Sequence, residues 1–419
     1  MKLGSSAWGL TGLYGTSLLV SFGRGMSIPT IPVLATAFDV SVGAAVQVVT
    51  AYGVGRLAGT LPSGLIVDRL GTRVALVAGP VLIGAAALTV GLAPTFLIVI
   101  AAMLFAGFGD SIFMIGREIA GVDMVRPEQR GRLLSGYMGF NGIGIALGSA
   151  VGGVLTDLVS YRAVFFLWAG FAVAVLLVSM SLPVTHHERV HQSAAMSGAT
   201  QRFFSRDRLI ALLVVFREIE PRFRATYVVL IFATTSMMLY RSALEGMLPL
   251  YVVSHRGFSS SDVGFLLALQ AVGVLVMIIP AGFVTDKLGR KWATVPSTAV
   301  PGIAFLLIPF ADSLLGIGLL VAFLGFGSGL ALGSVATSTY DVIPQRARGT
   351  LQAVRRSIAE IGAIGGPAVG GVVANASNPG VPFLLFGPVI LLAALLLMFV
   401  AKETLVKRPR PTANPGRPG

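Results

Sequence analysis

The 419-residue chain has no cysteine, which excludes disulfide frameworks, thiolate metal sites and thiol nucleophiles. Charge is scarce. Asp, Glu, Lys and Arg make up 12% of the residues, about half of the ~25% that water-soluble domains carry. Acidic residues are the scarcer sign, 18 against 31 basic ones, for a net charge of +13. Such an excess can mark a nucleic-acid partner, but its distribution along this chain points elsewhere. No G-x-x-x-x-G-K-[ST] loop is present, so nucleotide hydrolysis has no cradle and an ion gradient is the expected energy source. What is abundant is apolar side chain, at 55%, and glycine, at 52 residues. Without a tripeptide period, so much glycine reads as small-residue contacts between membrane helices.

A helix needs about 20 apolar residues to cross a bilayer. Segments of that size recur at 11–34, 43–67, 74–93, 94–122, 131–157 and 163–183, and again at 224–252, 262–285, 292–311, 314–340, 349–374 and 381–401. This predicts an all-α polytopic membrane protein with twelve spans, since membrane barrels instead show alternating segments of about ten residues. Met1 and Lys2 before an apolar run mimic a signal peptide, but Arg24 interrupts the run, so the segment reads as the first span.

The basic residues fall on one side of the alternating spans. They include Arg69 and Arg73 after span 2, Arg126, Arg130 and Arg132 after span 4, and Lys287, Arg290 and Lys291 after span 8. Arg346 and Arg348 follow span 10, and the 184–223 connection and the 402–419 tail add more. Only Arg162 and Arg256 fall on the other side. Both termini and the central loop are therefore expected in the cytoplasm, and nucleic acid is not needed as a partner. The Pro-, Gly- and Arg-rich tail reads as disordered. Asp207–Arg217 is too short to span and is expected to lie along the membrane surface.

Two halves share signals at a constant offset. Gly64, Asp68, Arg69 and Gly71 recur as Gly282, Asp286, Lys287 and Gly289, 218 residues on. At the same offset Asp123 recurs as Asp341, Gly131 as Gly349, Gly148 as Gly366, and Gly152–Gly153 as Gly370–Gly371. The chain thus divides into bundles at 1–183 and 224–401, joined by the 184–223 loop, with a site expected between them.

The doubled G-x-x-x-D-[RK]-x-G-[RK]-[RK] loop, after spans 2 and 8, resembles the major facilitator superfamily, as does Pro127–Arg132 (PEQRGR) between spans 4 and 5. The first copy departs at Thr72. The resemblance implies two six-helix bundles related by pseudo-two-fold symmetry, working by alternating access as a monomer. It also implies a small-molecule substrate, a lipid-embedded chain in a bacterial inner membrane, and a cytoplasmic latch made by Asp68 with Arg69 and by Asp286 with Lys287. Read chemically, Gly64 and Gly71 permit close packing and a sharp turn. Asp123 and Asp341 end spans 4 and 10 where Arg73, and Arg290 or Lys291, can pair with them.

Ionisable groups inside spans are costly and default to functional readings. Arg24, Asp110, Arg241 and Glu245 lie near mid-span, with Arg117 and Glu118 further along span 4 and Arg356 and Glu360 in span 11. By resemblance, spans 1, 4, 7 and 10 line the cavity. One reading makes a carboxylate here a proton carrier, released by an arginine that changes partner. The other makes Arg241–Glu245 and Arg356–Glu360 ion pairs one turn apart on their own helices. Arg117 and Glu118 lie near the inner boundary, where long side chains can snorkel. Arg56 has no counterpart in span 8 and is left unassigned.

In proton antiporters of this superfamily span 5 carries G-P-x-x-G-G. Here span 5 has Gly148, Gly152 and Gly153 with Ser149 in the proline position, and span 11 has the fuller Gly366, Pro367, Gly370 and Gly371. The arginine expected early in span 4 is replaced by Ala102 and Met103. Proton-coupled efflux of a drug or metabolite is the first expectation. A proton-coupled carrier for an organic anion held by Arg24 and Arg241 is the second, and a non-transporting receptor a third. His187–His191 (HERVH) matches a zinc-protease motif, but it sits in a polar loop without a third ligand. No enzyme activity, metal or cofactor is expected.

Overall fold

The computed structural model describes residues 3–126, 129–182, 216, 218–331, 334–344 and 348–404. The first half holds α1 (Leu3–Ser27), a 3₁₀ turn (Ile28–Thr30) and α2 (Ile31–Ala37), which together make span 1. It continues with α3 (Val42–Leu70), α4 (Thr72–Leu92), α5 (Phe96–Met124), α6 (Arg130–Leu158) and α7 (Tyr161–Ser181). The second half holds α8 (Pro221–Pro249), running on into a π-type turn (Leu250–His255), then α9 (Ser260–Val276) and α10 (Ile278–Phe283). After these come α11 (Arg290–Leu307), α12 (Leu314–Leu330), α13 (Ser334–Val342), α14 (Arg348–Ala376) and α15 (Val381–Phe399).

Among the described residues, nine helices are long and apolar enough to cross a bilayer, and α9 and α12 are shorter apolar ones. Large apolar side chains such as Leu97, Phe105, Leu177, Val228, Leu319 and Leu395 stand exposed on the outer surface, where lipid covers them. Span 8, expected as a single helix, is broken at Met277. Pro280 lacks the amide that a continuous span 8 would use. Gly329, in the last turn of α12, presses directly on Met277 and Val274 at this break. The surface helix expected at 207–217, the HERVH segment and the basic tail lie outside the described residues.

Packing repeats between the halves. In the first, α1 packs on α6, α3 on α5, and α4 on α7; in the second, α8 packs on α14, α9 on α12, and α11 on α15. Two seams join the halves, α6 against α9 and α3 against α14, and they too are symmetry mates. Close glycine contacts carry this frame. A Cβ at Gly144, Gly148 or Gly152 would strike the carbonyls of Leu18, Phe22 or Met26, successive turns of α1. Gly362 and Gly366 press likewise on Thr235 and Leu239 of α8. The second glycine of each pair faces the other half: Gly153 meets Ser260, and Gly371 meets Gly43.

Four of the helices starting at the end away from the basic loops are capped by serines. Ser41, Ser160 and Ser313 accept amides of α3, α7 and α12, and Ser259 forms a reciprocal box with Asp262 on α9. At the basic end Gly71 and Gly289 turn the chain between helices at φ +90° and +135°, conformations that glycine supplies without strain.

Candidate functional site between the two halves

Two ion pairs join the halves near mid-height. Arg24 Nη2 on α1 lies 2.6 Å from Glu245 Oε2 on α8, and Arg56 Nη2 on α3 lies 3.2 Å from Glu360 Oε1 on α14. All four side chains are 21–30% exposed, so neither pair is sealed from water. This corrects the expectation that Glu245 and Glu360 pair with Arg241 and Arg356 one turn away. An arginine four residues before a glutamate is the weaker order on a helix, and the arginines across the seam reach the same carboxylates directly. It also gives Arg56, unassigned from the sequence, a partner.

Around Arg24 the site is polar. Its guanidinium lies 5.1 Å from the Tyr52 ring centroid, the Tyr52 hydroxyl faces Asp110, and Asp110 lies within electrostatic range of Arg24 and Arg117. One aromatic, one carboxylate and one cross-half pair therefore meet at mid-depth. Tyr52 and Arg56 share α3 one turn apart, a spacing that was available in the sequence but carried no motif.

Arg241 and Arg356 are exposed, and neither makes a hydrogen bond or ion pair among the described residues. Each lies one turn from a carboxylate that faces the other half, on its basic-end side, so each points toward the space between the halves. Arg117 does not snorkel. It is 6% exposed, with its guanidinium 4.8 Å from the Tyr137 ring and 5.6 Å from that of Phe113, and its Nε has no hydrogen-bond partner. The rings of α5 and α6 hold it inside the first half. Glu118 is half-buried beside it.

Hydrogen bonds cross between the halves at these two pairs, at Gln47 Nε2 to the Ala368 carbonyl (3.4 Å), and at Asp157 to Ser260 and Ser261. All of these lie from mid-height toward the end away from the basic loops. At the basic end Asp68 and Arg69 are exposed and make no side-chain hydrogen bond or ion pair among the described residues. A Cβ at Gly64 or Gly282 would meet nothing within 4 Å, so the close packing expected at Gly64 is not made.

In this arrangement the loop motif holds each half to itself. Arg290 Nε lies 3.1 Å from Asp341 Oδ2, and Thr404 donates to the same oxygen at 3.2 Å. Glu403 accepts the first two amides of α11, those of Arg290 and Lys291, and Lys291 Nζ reaches the Met398 carbonyl. Lys287 Nζ rests 4.8 Å from the Phe283 ring centroid. Arg73 donates to the Met180 carbonyl at 3.1 Å rather than to Asp123, because α7 ends beside the start of α4. The side chain of Asp286 lies outside the described residues. Pro367 is buried at the α8–α14 contact, 3.5 Å from a Cβ built on Gly246.

Comparison with known proteins agrees with this architecture. A protein of Cupriavidus necator named "Probable sulfoacetate transporter SauU" is 30% identical over 158 residues, 38% of this chain and 37% of that protein. Multidrug resistance protein 1 of Bacillus subtilis is 23% identical over 366 residues, 85% of this chain and 88% of the relative. The first of these matches thus spans little more than a third of its relative's length, the second nearly all of it. A solved POT family transporter in complex with 5-aminolevulinic acid superposes with a TM-score of 0.74 at 13% identity, over 94% of this chain and 96% of the other, which shows a shared fold. The family model described as "Major Facilitator Superfamily" matches residues 13–219 and 230–418, nearly the whole of both bundles. The chain therefore belongs to the Major Facilitator Superfamily of integral membrane transporters.

Proposed function

We propose that this chain is a secondary transporter that works by alternating access and exports a small molecule in exchange for protons. The Arg24–Glu245 pair is the observation that carries this reading. A carboxylate at mid-depth, paired with an arginine of the opposite half, must find a new partner when the halves part, and a proton is the smallest one available. The basic end is taken as cytoplasmic by its arginines and lysines, so the chain here is open inward and closed outward. The loop motif, with Asp68 and Arg69, latches the inner ends in the opposite state. The likeness to multidrug resistance proteins supports export.

The test is proton movement in sealed proteoliposomes carrying a pH dye, comparing the wild type with Glu245→Gln as candidate substrates are added. Substrate-driven proton flux lost in the variant supports coupling through Glu245, and its direction separates exchange from co-transport. Substrate movement without any pH change in the wild type sinks proton coupling.

A second reading is favoured by Arg241 and Arg356. Exposed cations without partners among the described residues, at bilayer depth, suit an organic anion, and the relative named for sulfoacetate transport points the same way. Direct binding separates the two readings. If sulfoacetate binds and Arg241→Gln weakens it at least about tenfold, the loss of a charged hydrogen bond expected from, the anion reading stands. If the lipophilic cation ethidium binds and the variant leaves it unchanged, the export reading stands.

A further inference from the structure

At the closed end, α9 of the second half begins with three amides that its own helix leaves without acceptors. The third, Asp262 N, is accepted by Ser259 Oγ at 3.1 Å. The first two are accepted from the other half. Ser260 N donates to Asp157 Oδ1 at 3.2 Å, and Ser261 N donates to Asp157 Oδ2 at 2.6 Å. The Ser261 hydroxyl donates to the same oxygen at 2.6 Å. One turn earlier on α6, Gly153 presses on the Ser260 carbonyl, and Gly264 of α9 presses on Ser149. The contact is therefore built from a backbone fit and a charged cap together.

The symmetry-related seam has no such cap. At the same 218-residue offset Asp157 becomes Asn375 and Ser261 becomes Gly43. Asn375 stands beside Gly43 at the start of α3, yet it makes no side-chain hydrogen bond among the described residues. Ser41 caps that helix from within its own half.

We propose that Asp157 is the outer-gate latch, a positioning residue that closes the second half's α9 onto the first half. When the outer ends separate, Asp157 loses three donors and α9 loses two acceptors at one point. Carboxylate hydrogen bonds at a helix start are among the stronger ones. Opening of this seam at its outer end is thus resisted at a single residue, while the α3–α14 seam carries its polar contacts further along the helices, at Gln47 with Ala368 and at Arg56 with Glu360. The proposal rests on the alternating-access reading and holds whichever solute is carried.

Because the chain has no cysteine of its own, spin labels can be placed at Val159→Cys and Leu315→Cys, exposed positions at the outer ends of the two halves. Distance distributions are recorded in bilayer nanodiscs. Asp157→Ala is expected to raise the ratio of long to short outer distances about tenfold, the effect of losing charge-assisted hydrogen bonds. Asp157→Asn keeps one accepting oxygen, and should raise the ratio by a smaller factor, about threefold by the same scale; it carries the test if the alanine variant does not fold. Asn375→Ala should leave the distribution unchanged. A wild-type distribution in both Asp157 variants overturns the proposal, as does an equal shift in Asn375→Ala. A wild type without substrate-driven flux would instead count against the transport reading, so the two failures are told apart.

Discussion

The two halves share a frame and differ in charge. Gly148 and Gly152 seat α6 on α1 as Gly366 seats α14 on α8, and both seams use the second glycine of a pair. The ionisable loop residues repeat, as Asp68 with Asp286 and Asp123 with Asp341, but the ones deeper in the spans diverge. Asp110, Arg56 and Arg117 of the first half correspond to Ser328, Val274 and Val335, while Glu245 and Glu360 of the second correspond to Ser27 and Gly142. At mid-depth the first half offers arginines across the seams and the second half offers carboxylates. The duplicated positions build the scaffold, and the diverged ones make the halves complementary in charge across the seams.

Substitutions can break this comparison at graded cost. The largest effect on folding is expected at Gly152→Ala, whose Cβ would strike the Met26 backbone. Thermal unfolding in detergent should show about 2–3 kcal/mol of destabilisation. Gly370→Ala meets only the flexible Met247 side chain, 3.0 Å away, and should cost under about 1 kcal/mol. Equal costs would show that the frame is more symmetric than its contacts.

Double-mutant cycles separate the two ion pairs. Arg24 with Glu245, closer and less exposed, should show a coupling of about 1–2 kcal/mol. Arg56 with Glu360, at 3.2 Å and with one partner 30% exposed, should give about 0.5–1 kcal/mol, nearer the value of surface pairs. A stronger second pair would move the site toward α3 and α14. The charge swap Arg56→Glu with Glu360→Arg should recover expression that either single change lowers, as measured by the yield of monodisperse protein.

The smallest effect belongs to Gly64→Ala and Gly282→Ala. Open space surrounds both positions, so unfolding should shift by no more than about 0.5 kcal/mol. A larger loss would show that the basic end spends much of its time closed.

Much of the fold was legible along the chain. Apolar runs of bilayer length, the doubled loop motif and the 218-residue offset are local or periodic signals, and they marked both bundles. The break in span 8 is not legible along the chain, because helix interruption in lipid depends on neighbours that accept the freed backbone groups. The partners of Glu245 and Glu360 were missed for a related reason. Separation along a helix suggested Arg241 and Arg356, whereas the acceptors turned toward arginines more than 200 residues away. Asp157 carried one visible clue: it lies one turn beyond Gly153 and is not repeated at Asn375. The Ser259–Asp262 box caps the start of α9 locally, and no signal along the chain shows that the other half finishes that cap.

The sequence by itself determined that this is a twelve-span membrane protein with a duplicated frame, because bilayer thickness and helix rise leave few other readings for such runs. Only the tertiary structure decided which charges meet across the seams and where, among the described residues, the halves are bonded to each other. Those are properties of contacts between halves, and ion pairs follow distance in space rather than spacing along one helix.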